Sequence, residues 1–184
     1  MNTIAIHPEG SAEEIRFGFG TFALGTVLVA ASTKGIAAIL MGDDRDALCR
    51  ELAAAFPQAS LTSDEAGLGD MVVQVVAFLE APRQGLDLPL DIRGSALEQA
   101  VWQRLRAVPP GETITYGEIA KALPLPATAQ EVGAACAANV LAVAVPCHRV
   151  VKADGSISGY RWGVHRKRKL INGEGMAMTQ LTSR

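Results

Sequence analysis

Near the start of the chain apolar and polar residues alternate, with Ile15, Phe17 and Phe19 on one side of an extended segment. The apolar run GTVLVAAST follows, then a turn at Lys34-Gly35, then IAAIL. Three such runs at short separation predict that the first 42 residues are strands in an antiparallel meander. The period then changes from two to that of a helix. Asp43-Asp44 supplies a helix start, Leu48, Leu52 and Ala55 mark one face, and Pro57 ends the segment. Cys49 lies close to that face and reads as a plain buried thiol. A second helix is expected after Asp64, where Leu68, Val72, Val75 and Leu79 recur at helical spacing. The Pro- and Gly-containing stretch from Ala81 to Gly94 reads as a connector.

The second half is punctuated by three capping-box patterns: Ser95 with Glu98, Thr115 with Glu118, and Thr128 with Glu131. The first opens a helix with Leu97, Val101, Leu105 and Val108 on one stripe and Trp102 beside it as core. The second opens a short helix from Tyr116 to Leu123, which Pro124 and Pro126 turn into a third helix running to about Ala138. Two short helices across a tight turn look like a helix-turn-helix, a pair that also serves as ordinary scaffold. Asn139 ends the third helix, where asparagine tolerates a left-handed backbone. The strand-like run LAVAV then leads to Pro146.

Charge changes this picture. The whole chain carries a net −2, but residues 1–92 hold 5 basic and 13 acidic side chains, a net −8, whereas residues 93–184 hold 12 and 6, a net +6. Such a split is the signature of two lobes, 1–92 and 93–184, with different partners, the basic one suited to phosphates. Segregation by chance on a solvated surface would look the same. Arg166-Lys167-Arg168-Lys169 reads as a solvated helix face that can also touch phosphate. No run is long and apolar enough to span a membrane, and the N-terminus lacks the pattern of a secretory signal. Three cysteines without a C-x-x-C pair signal neither a disulfide framework nor a metal cluster, and fit a reducing, cytoplasmic setting.

The candidate chemistry lies in Pro146-Cys147-His148-Arg149-Val150. A cysteine after a proline has a constrained backbone, and a neighbouring imidazole and guanidinium can stabilise its thiolate, the reactive form. A bare Cys-His dipeptide reads more readily as a structural thiol beside a satisfied histidine. The longer context decides. VAVPCHRVV followed by GYRWG, with LPLDIRG, VWQRLRAVPPGETITYGEIA, ACAAN and RWGVHRKRKL, resembles the O6-alkylguanine-DNA alkyltransferase (methylated-DNA–protein-cysteine methyltransferase) family, most closely the alkyltransferase half of the Ada type.

The resemblance implies an α+β fold: an N-terminal lobe of three antiparallel strands plus helices, and a mostly helical C-terminal lobe bearing the helix-turn-helix and the cysteine loop. It implies that Cys147 accepts the alkyl group from O6-alkylguanine, and from O4-alkylthymine, in double-stranded DNA. It makes His148 the base acting through a water molecule, and Glu174, in NGEG, the carboxylate that orients it. Asn139 becomes a hinge, Tyr116 the residue that helps turn out and polarise the base, and Tyr160 a pocket wall. The carbonyls of Cys147 and Val150 and the amide of Arg161 would bind the guanine. Ala127, Thr128, Ala129, Gln130, Gly133, Ala134 and Ala135 would form a small-residue surface entering the minor groove. The implied protein is a monomer that acts once, without cofactor or metal.

Two departures stand out. Gln130 occupies the place of the family's usual arginine finger, with Glu131 beside it, and Leu97 replaces a usual phenylalanine. Three other readings compete. A non-reactive lesion sensor would lack the acceptor, which is present. A Cys–His hydrolase would hold its pair far apart in sequence. A regulator of the Ada type would need a cysteine-rich half.

Overall fold

The computed structural model describes residues 13–182, with side-chain surroundings through residue 175. The strands expected over residues 1–12 lie outside the described residues. Strands β1 (Glu14–Phe22), β2 (Gly25–Ala31) and β3 (Ile36–Gly42) form the antiparallel meander, with Phe17 opposite Ala30 and Val29 opposite Ile39. β2 is buried from Val27 to Ala31 and β3 from Ile36 to Met41, because both faces are covered. That is why their sequences run apolar rather than alternating. Gly35 turns the chain between them at a φ of 147°, where a Cβ would meet the Pro89 carbonyl oxygen at 2.4 Å; only glycine fits.

The sheet is larger than the expected three strands. A fourth strand, β4 (Ser60–Ser63), pairs parallel to β1, giving the order β3-β2-β1-β4. Its sequence, SLTS, has a single apolar residue and a mostly exposed edge position, so it carries no periodic signal. Helix α1 (Arg45–Ala55) starts where Asp44 accepts the Asp46 amide, and buries Leu48 and Leu52. Helix α2 (Gly69–Glu80) begins later than Asp64 suggests. That carboxylate instead caps a turn at the Gly67 amide, 2.9 Å away, and pairs with Arg16. α2 buries Val72, Val75, Phe78 and Leu79 against β1, where Gly20 leaves room: a Cβ there would approach Val72 Cγ1 to 2.8 Å.

Helix α3 (Ala96–Arg106) opens with a complete capping box at Ser95 and Glu98. A second complete box, at Thr115 and Glu118, follows the short strand β5 (Ile114–Thr115) and opens α4 (Tyr116–Ala122). The third box is only half formed. Thr128 accepts the Glu131 amide at the start of α5 (Ala129–Ala138), but the Glu131 carboxylate takes the Thr128 hydroxyl instead of the backbone amide. Trp102 in α3 is core as expected, and its indole N–H donates to the Ala135 carbonyl at 2.9 Å, joining α3 to α5.

Two expectations beyond α5 are corrected. Asn139 is extended (φ −66°, ψ 126°) rather than left-handed. LAVAV is not a strand. Leu141 makes one bridge to Ile39, and Ala142 pairs with Val145 around Val143, which sits at φ 65°. The Ala144 amide reaches the Ala142 carbonyl at 2.7 Å, a γ-turn of the strained hand. The run's β-propensity yields to the two hydrogen bonds that tie it to Ile39, which accommodate a single residue's crossing. Strand β6 (Val150–Val151) then pairs with β5, and helix α6 (Val164–Thr182) ends the chain's described part. One buried apolar cluster runs from Ile15 in the sheet through Leu105 and Val132 in the helices to Leu170 in α6. Among the described residues no helix is long and apolar enough to cross a membrane.

Candidate active site

Cys147 opens a single 3-10 turn, Cys147–Arg149, placed by the backbone of Pro146. The Cys147 amide bonds the Val145 carbonyl at 2.8 Å, the Arg149 amide bonds the Pro146 carbonyl at 3.0 Å, and the Val150 amide bonds the Cys147 carbonyl. Asn139 holds this loop from the side. Its Nδ2 donates to the Val145 carbonyl at 2.9 Å and to Cys147 Sγ at 3.4 Å, while its Oδ1 accepts the Leu141 amide at 2.8 Å. The side chain thus spans the strained turn at Val143 from both ends. Asn139→Ala would leave the buried Leu141 amide unpaired, at roughly 1–3 kcal/mol, while the Val145 carbonyl keeps the Cys147 amide. The expected result is a loss of about 1–3 kcal/mol of stability in a denaturant titration; a midpoint equal to the parent's would show that the staple contributes nothing.

His148 is fully buried, and its Nε2 lies 2.8 Å from Glu174 Oε1. Glu174 comes from α6 and is also gripped by Arg149, through Nε at 3.1 Å and Nη2 at 2.9 Å. A third guanidinium nitrogen of Arg149 donates to the Val108 carbonyl at 2.7 Å. Burial would push the Glu174 carboxyl up, but the His148 and Arg149 hydrogen bonds overcome it and hold the group ionised, at about 2. Burial pushes His148 below the ordinary imidazole range, opposed by Glu174, so the ring is neutral near pH 7. An ionised Glu174 must accept a proton from Nε2, which leaves Nδ1 with the basic lone pair. Nδ1 has no hydrogen-bond partner among the described residues.

A pocket of about 360 Å³ opens beside the thiol, lined by Tyr116, Gly133, Cys136, Cys147, Tyr160 and Arg161 among others. A larger hollow of about 580 Å³, along Phe56, Arg93 and Trp102, contains no thiol or imidazole. Tyr116 OH lies 2.5 Å from Ser158 Oγ, which accepts a hydrogen bond from Lys167 Nζ at 2.8 Å. Because Ser158 accepts from the lysine, its own proton is free for the Tyr116 oxygen, which leaves the phenolic proton free to donate elsewhere. Burial raises the Tyr116 phenol, with the Ser158 bond opposing it. The Tyr160 hydroxyl is buried without a partner among the described residues. The Arg161 side chain turns away to Glu51 Oε1 at 2.8 Å and the Ala137 carbonyl at 2.9 Å, and its amide makes no hydrogen bond among the described residues. Val150 is buried in β6.

α4 and α5 form the helix-turn-helix. Thr128, Ala129, Gln130 and Ala134 are exposed on its outer side, Ala127 and Gly133 are half-buried, and Ala135 faces inward against α3. Cys147, His148, Glu174, Asn139, Tyr116 and Tyr160 therefore converge on one region, and the α5 positions sit on an adjacent surface. The basic cluster is corrected: Arg166 is tied to the Leu24 and Trp162 carbonyls and to Asp43, and Lys167 is buried, leaving Arg168 and Lys169 exposed. Lys167, Ser158, Arg149 as a clamp, Glu51 and Cys136 are site residues that sequence reasoning missed. For Lys167 the signal lay in its helical phase with buried Leu170, three residues on.

Three comparisons bear on this arrangement. Residues 15–92 match the ribonuclease-like domain of 6-O-methylguanine DNA methyltransferase, and residues 96–176 match the DNA-binding domain of the same family. The chain is 47% identical over 160 residues to the "Bifunctional transcriptional activator/DNA repair enzyme Ada" of Escherichia coli, covering 87% of this chain and 45% of that protein. It is 36% identical over 126 residues to the inducible methylated-DNA–protein-cysteine methyltransferase of Bacillus subtilis, covering 68% of this chain and 70% of that protein. The chain spans about half the length of the Ada-type relatives it matches, 45% and 47%. A crystal structure of Mycobacterium tuberculosis OGT in complex with DNA superposes with a TM-score of 0.72 at 31% identity, covering 89% of this chain and 93% of that one.

Proposed function

From the premise that the chain belongs to the O6-methylguanine DNA methyltransferase family, we propose that it repairs O6-alkylguanine in double-stranded DNA by moving the alkyl group irreversibly onto Cys147. The carrying observation is His148, next to Cys147 in the chain, buried and neutral, with Nε2 held by an ionised Glu174 and Nδ1 without a partner among the described residues. His148 takes the Cys147 proton, by way of a water molecule as the family resemblance implies. The thiolate attacks the alkyl carbon, the carbon–oxygen bond breaks, and its electron pair goes to the guanine oxygen. Tyr116, fed by the Lys167–Ser158 chain, and the open Arg161 amide offset the charge that develops on the base. The carbonyls of Cys147 and Val150 accept from the exocyclic amine. Among the described residues no group beside the pocket can cleave the product thioether, so each molecule acts once. No cofactor or metal takes part.

The target oxygen is inside the duplex, so the nucleotide must be turned out. We read residues 93–184 as the lobe that does this, with α5 in the minor groove, and residues 1–92 as the acidic lobe that supports it. O4-alkylthymine is a second substrate of the same pocket. The protein acts as a monomer in the cytoplasm. Mass spectrometry after incubation with O6-methylguanine duplex tests the proposal. One methyl per molecule, located on Cys147, is the expected result; repeated turnover, or a methyl on Cys49, ends it.

Gln130 carries a separate expectation. It is exposed in the first turn of α5, next to the exposed Glu131. Glutamine is short and neutral, whereas arginine offers a planar charged fork that can occupy the vacated stack. Gln130→Arg is expected to tighten duplex binding and speed repair of duplex DNA several-fold, with little effect on the free base O6-benzylguanine, which needs no extrusion. Equal acceleration of both substrates, or of neither, rejects the role assigned to Gln130.

A further inference from the structure

Two thiols, not one, face the pocket. Cys136 lies in the last turn of α5 and Cys147 in the loop that follows, and both line the same 360 Å³ pocket. Each acts as the other's hydrogen-bond partner in setting thiol acidity, so the two side chains approach closely. Lys167, buried beneath them, acts on both with its positive charge. Cys49, the remaining cysteine, is on α1 and lines none of this pocket.

The contact makes the two thiols unequal. Cys136 holds its partner's proton captive, pushing Cys147 well above the ordinary thiol range, with burial adding to the rise. The same contact lowers Cys136, against burial and with help from Lys167. Cys136 is also only half-buried, whereas Cys147 is buried. The more acidic, more accessible sulfur is therefore the one that meets an oxidant first.

We propose that Cys136 and Cys147 form a dithiol oxidation site that hydroperoxides convert to an internal disulfide. The Cys136 thiolate attacks a peroxide oxygen. A sulfur–oxygen bond forms, the oxygen–oxygen bond breaks, and hydroxide leaves. Cys147 then attacks the Cys136 sulfenic sulfur. The sulfur–sulfur bond forms, the sulfur–oxygen bond breaks, and the departing hydroxide takes the Cys147 proton as water. Two thiols and one hydrogen peroxide give one disulfide and two waters. The sulfurs are oxidised and the peroxide oxygens reduced. Forming the bond requires the two sulfurs to close to about 2.05 Å. Resting on the alkyl-transfer reading, the disulfide would keep a single-use thiol from oxidation to the sulfinic state, which is not reversed by thiols.

The test uses the full chain treated with hydrogen peroxide, then denatured, blocked with iodoacetamide and cut with trypsin. No Lys or Arg lies between Lys121 and Arg149, so one peptide, residues 122–149, carries both cysteines. The expected result is that this peptide loses two hydrogens and takes no label, and that dithiothreitol restores two labelled cysteines. In parallel, alkyl uptake from O6-methylguanine DNA should be lost with peroxide and regained with dithiothreitol. In Cys136→Ala the same peroxide dose should drive Cys147 to the sulfinic acid, with no recovery relative to that variant's own untreated sample. A peptide that keeps two labelled cysteines, a Cys147 sulfinic acid beside a free Cys136 in the parent protein, or a bond to Cys49 overturns the proposal. The peptide mass does not depend on alkyl transfer, so failure of the repair reading would appear separately.

Discussion

Cys147→Ala is expected to abolish alkyl uptake completely while the protein remains folded. The side chain is buried, so its removal leaves a small void, but the change is one sulfur atom and the surrounding bonds persist. Asn139 keeps its 2.9 Å bond to the Val145 carbonyl, and the 3-10 turn is held by backbone alone. The stability loss should therefore be near 1 kcal/mol, the scale of a buried methylene. Neither remaining thiol is expected to substitute. Cys49 is held up by burial and by the neighbouring Asp46 carboxylate, and it is remote from His148. Cys136 lines the pocket but lacks the adjacent imidazole, so it tests the geometry directly. Incubation with O6-methylguanine duplex followed by intact-mass measurement should give an unmodified variant and a parent heavier by one methyl. Residual uptake on Cys136 in the variant would show that proximity, rather than the relay, selects the acceptor.

The second large effect concerns Glu174. Glu174→Gln preserves shape but removes the charge that faces both His148 and Arg149. Transfer is expected to slow by about 10²–10⁴-fold, the usual worth of general-base assistance. The pH profile should change in a definite direction. In the parent, His148 is the lowered group, so activity is present above its transition and is lost as pH falls through it, below the ordinary imidazole range. In Glu174→Gln the negative charge that opposes this lowering is gone, even where the amide oxygen still accepts from Nε2, so the ring becomes a weaker base. Thiolate must then come from direct ionisation of a thiol that its surroundings hold high, and the rate should climb with pH where the parent is flat. Stability falls as well, because Arg149 is left buried with an uncompensated charge, a loss of roughly 3–5 kcal/mol. Rates should accordingly be compared below the unfolding transition of both proteins. A Glu174→Gln profile that overlays the parent's would reduce the carboxylate to a structural partner of Arg149.

The parts of the fold that were legible in the sequence are those with a strong local signature. β1, β2 and β3 carry period-two or fully apolar runs, and α3 and α4 open with complete capping boxes. β4 was invisible because an exposed edge strand of four residues buries almost nothing. LAVAV misled for the opposite reason: its residues suit a strand, but a side chain eight positions before the cysteine fixes a turn there. At the site, Cys147 and His148 were readable only through the longer motif and the family it resembles, since the Cys-His pair alone fits a structural thiol. Lys167 was not, because a charge in a basic run looks solvated until a packed partner such as Ser158 is known. Cys136 was overlooked because the thiol contact depends on how α5 meets the loop, a tertiary fact without a sequence period.

Glu174 reaches back from α6 to a histidine 26 positions earlier in the chain. During translation, the thiol, imidazole and Asn139 leave the ribosome well before the carboxylate that completes them. Until α6 docks, Arg149 has no anion to hold and His148 no fixed tautomer. A chain ending before residue 174 would lack the carboxylate that fixes the His148 tautomer and pairs with Arg149. On the proposed relay, activation of Cys147 would therefore wait until α6 has been made and docked.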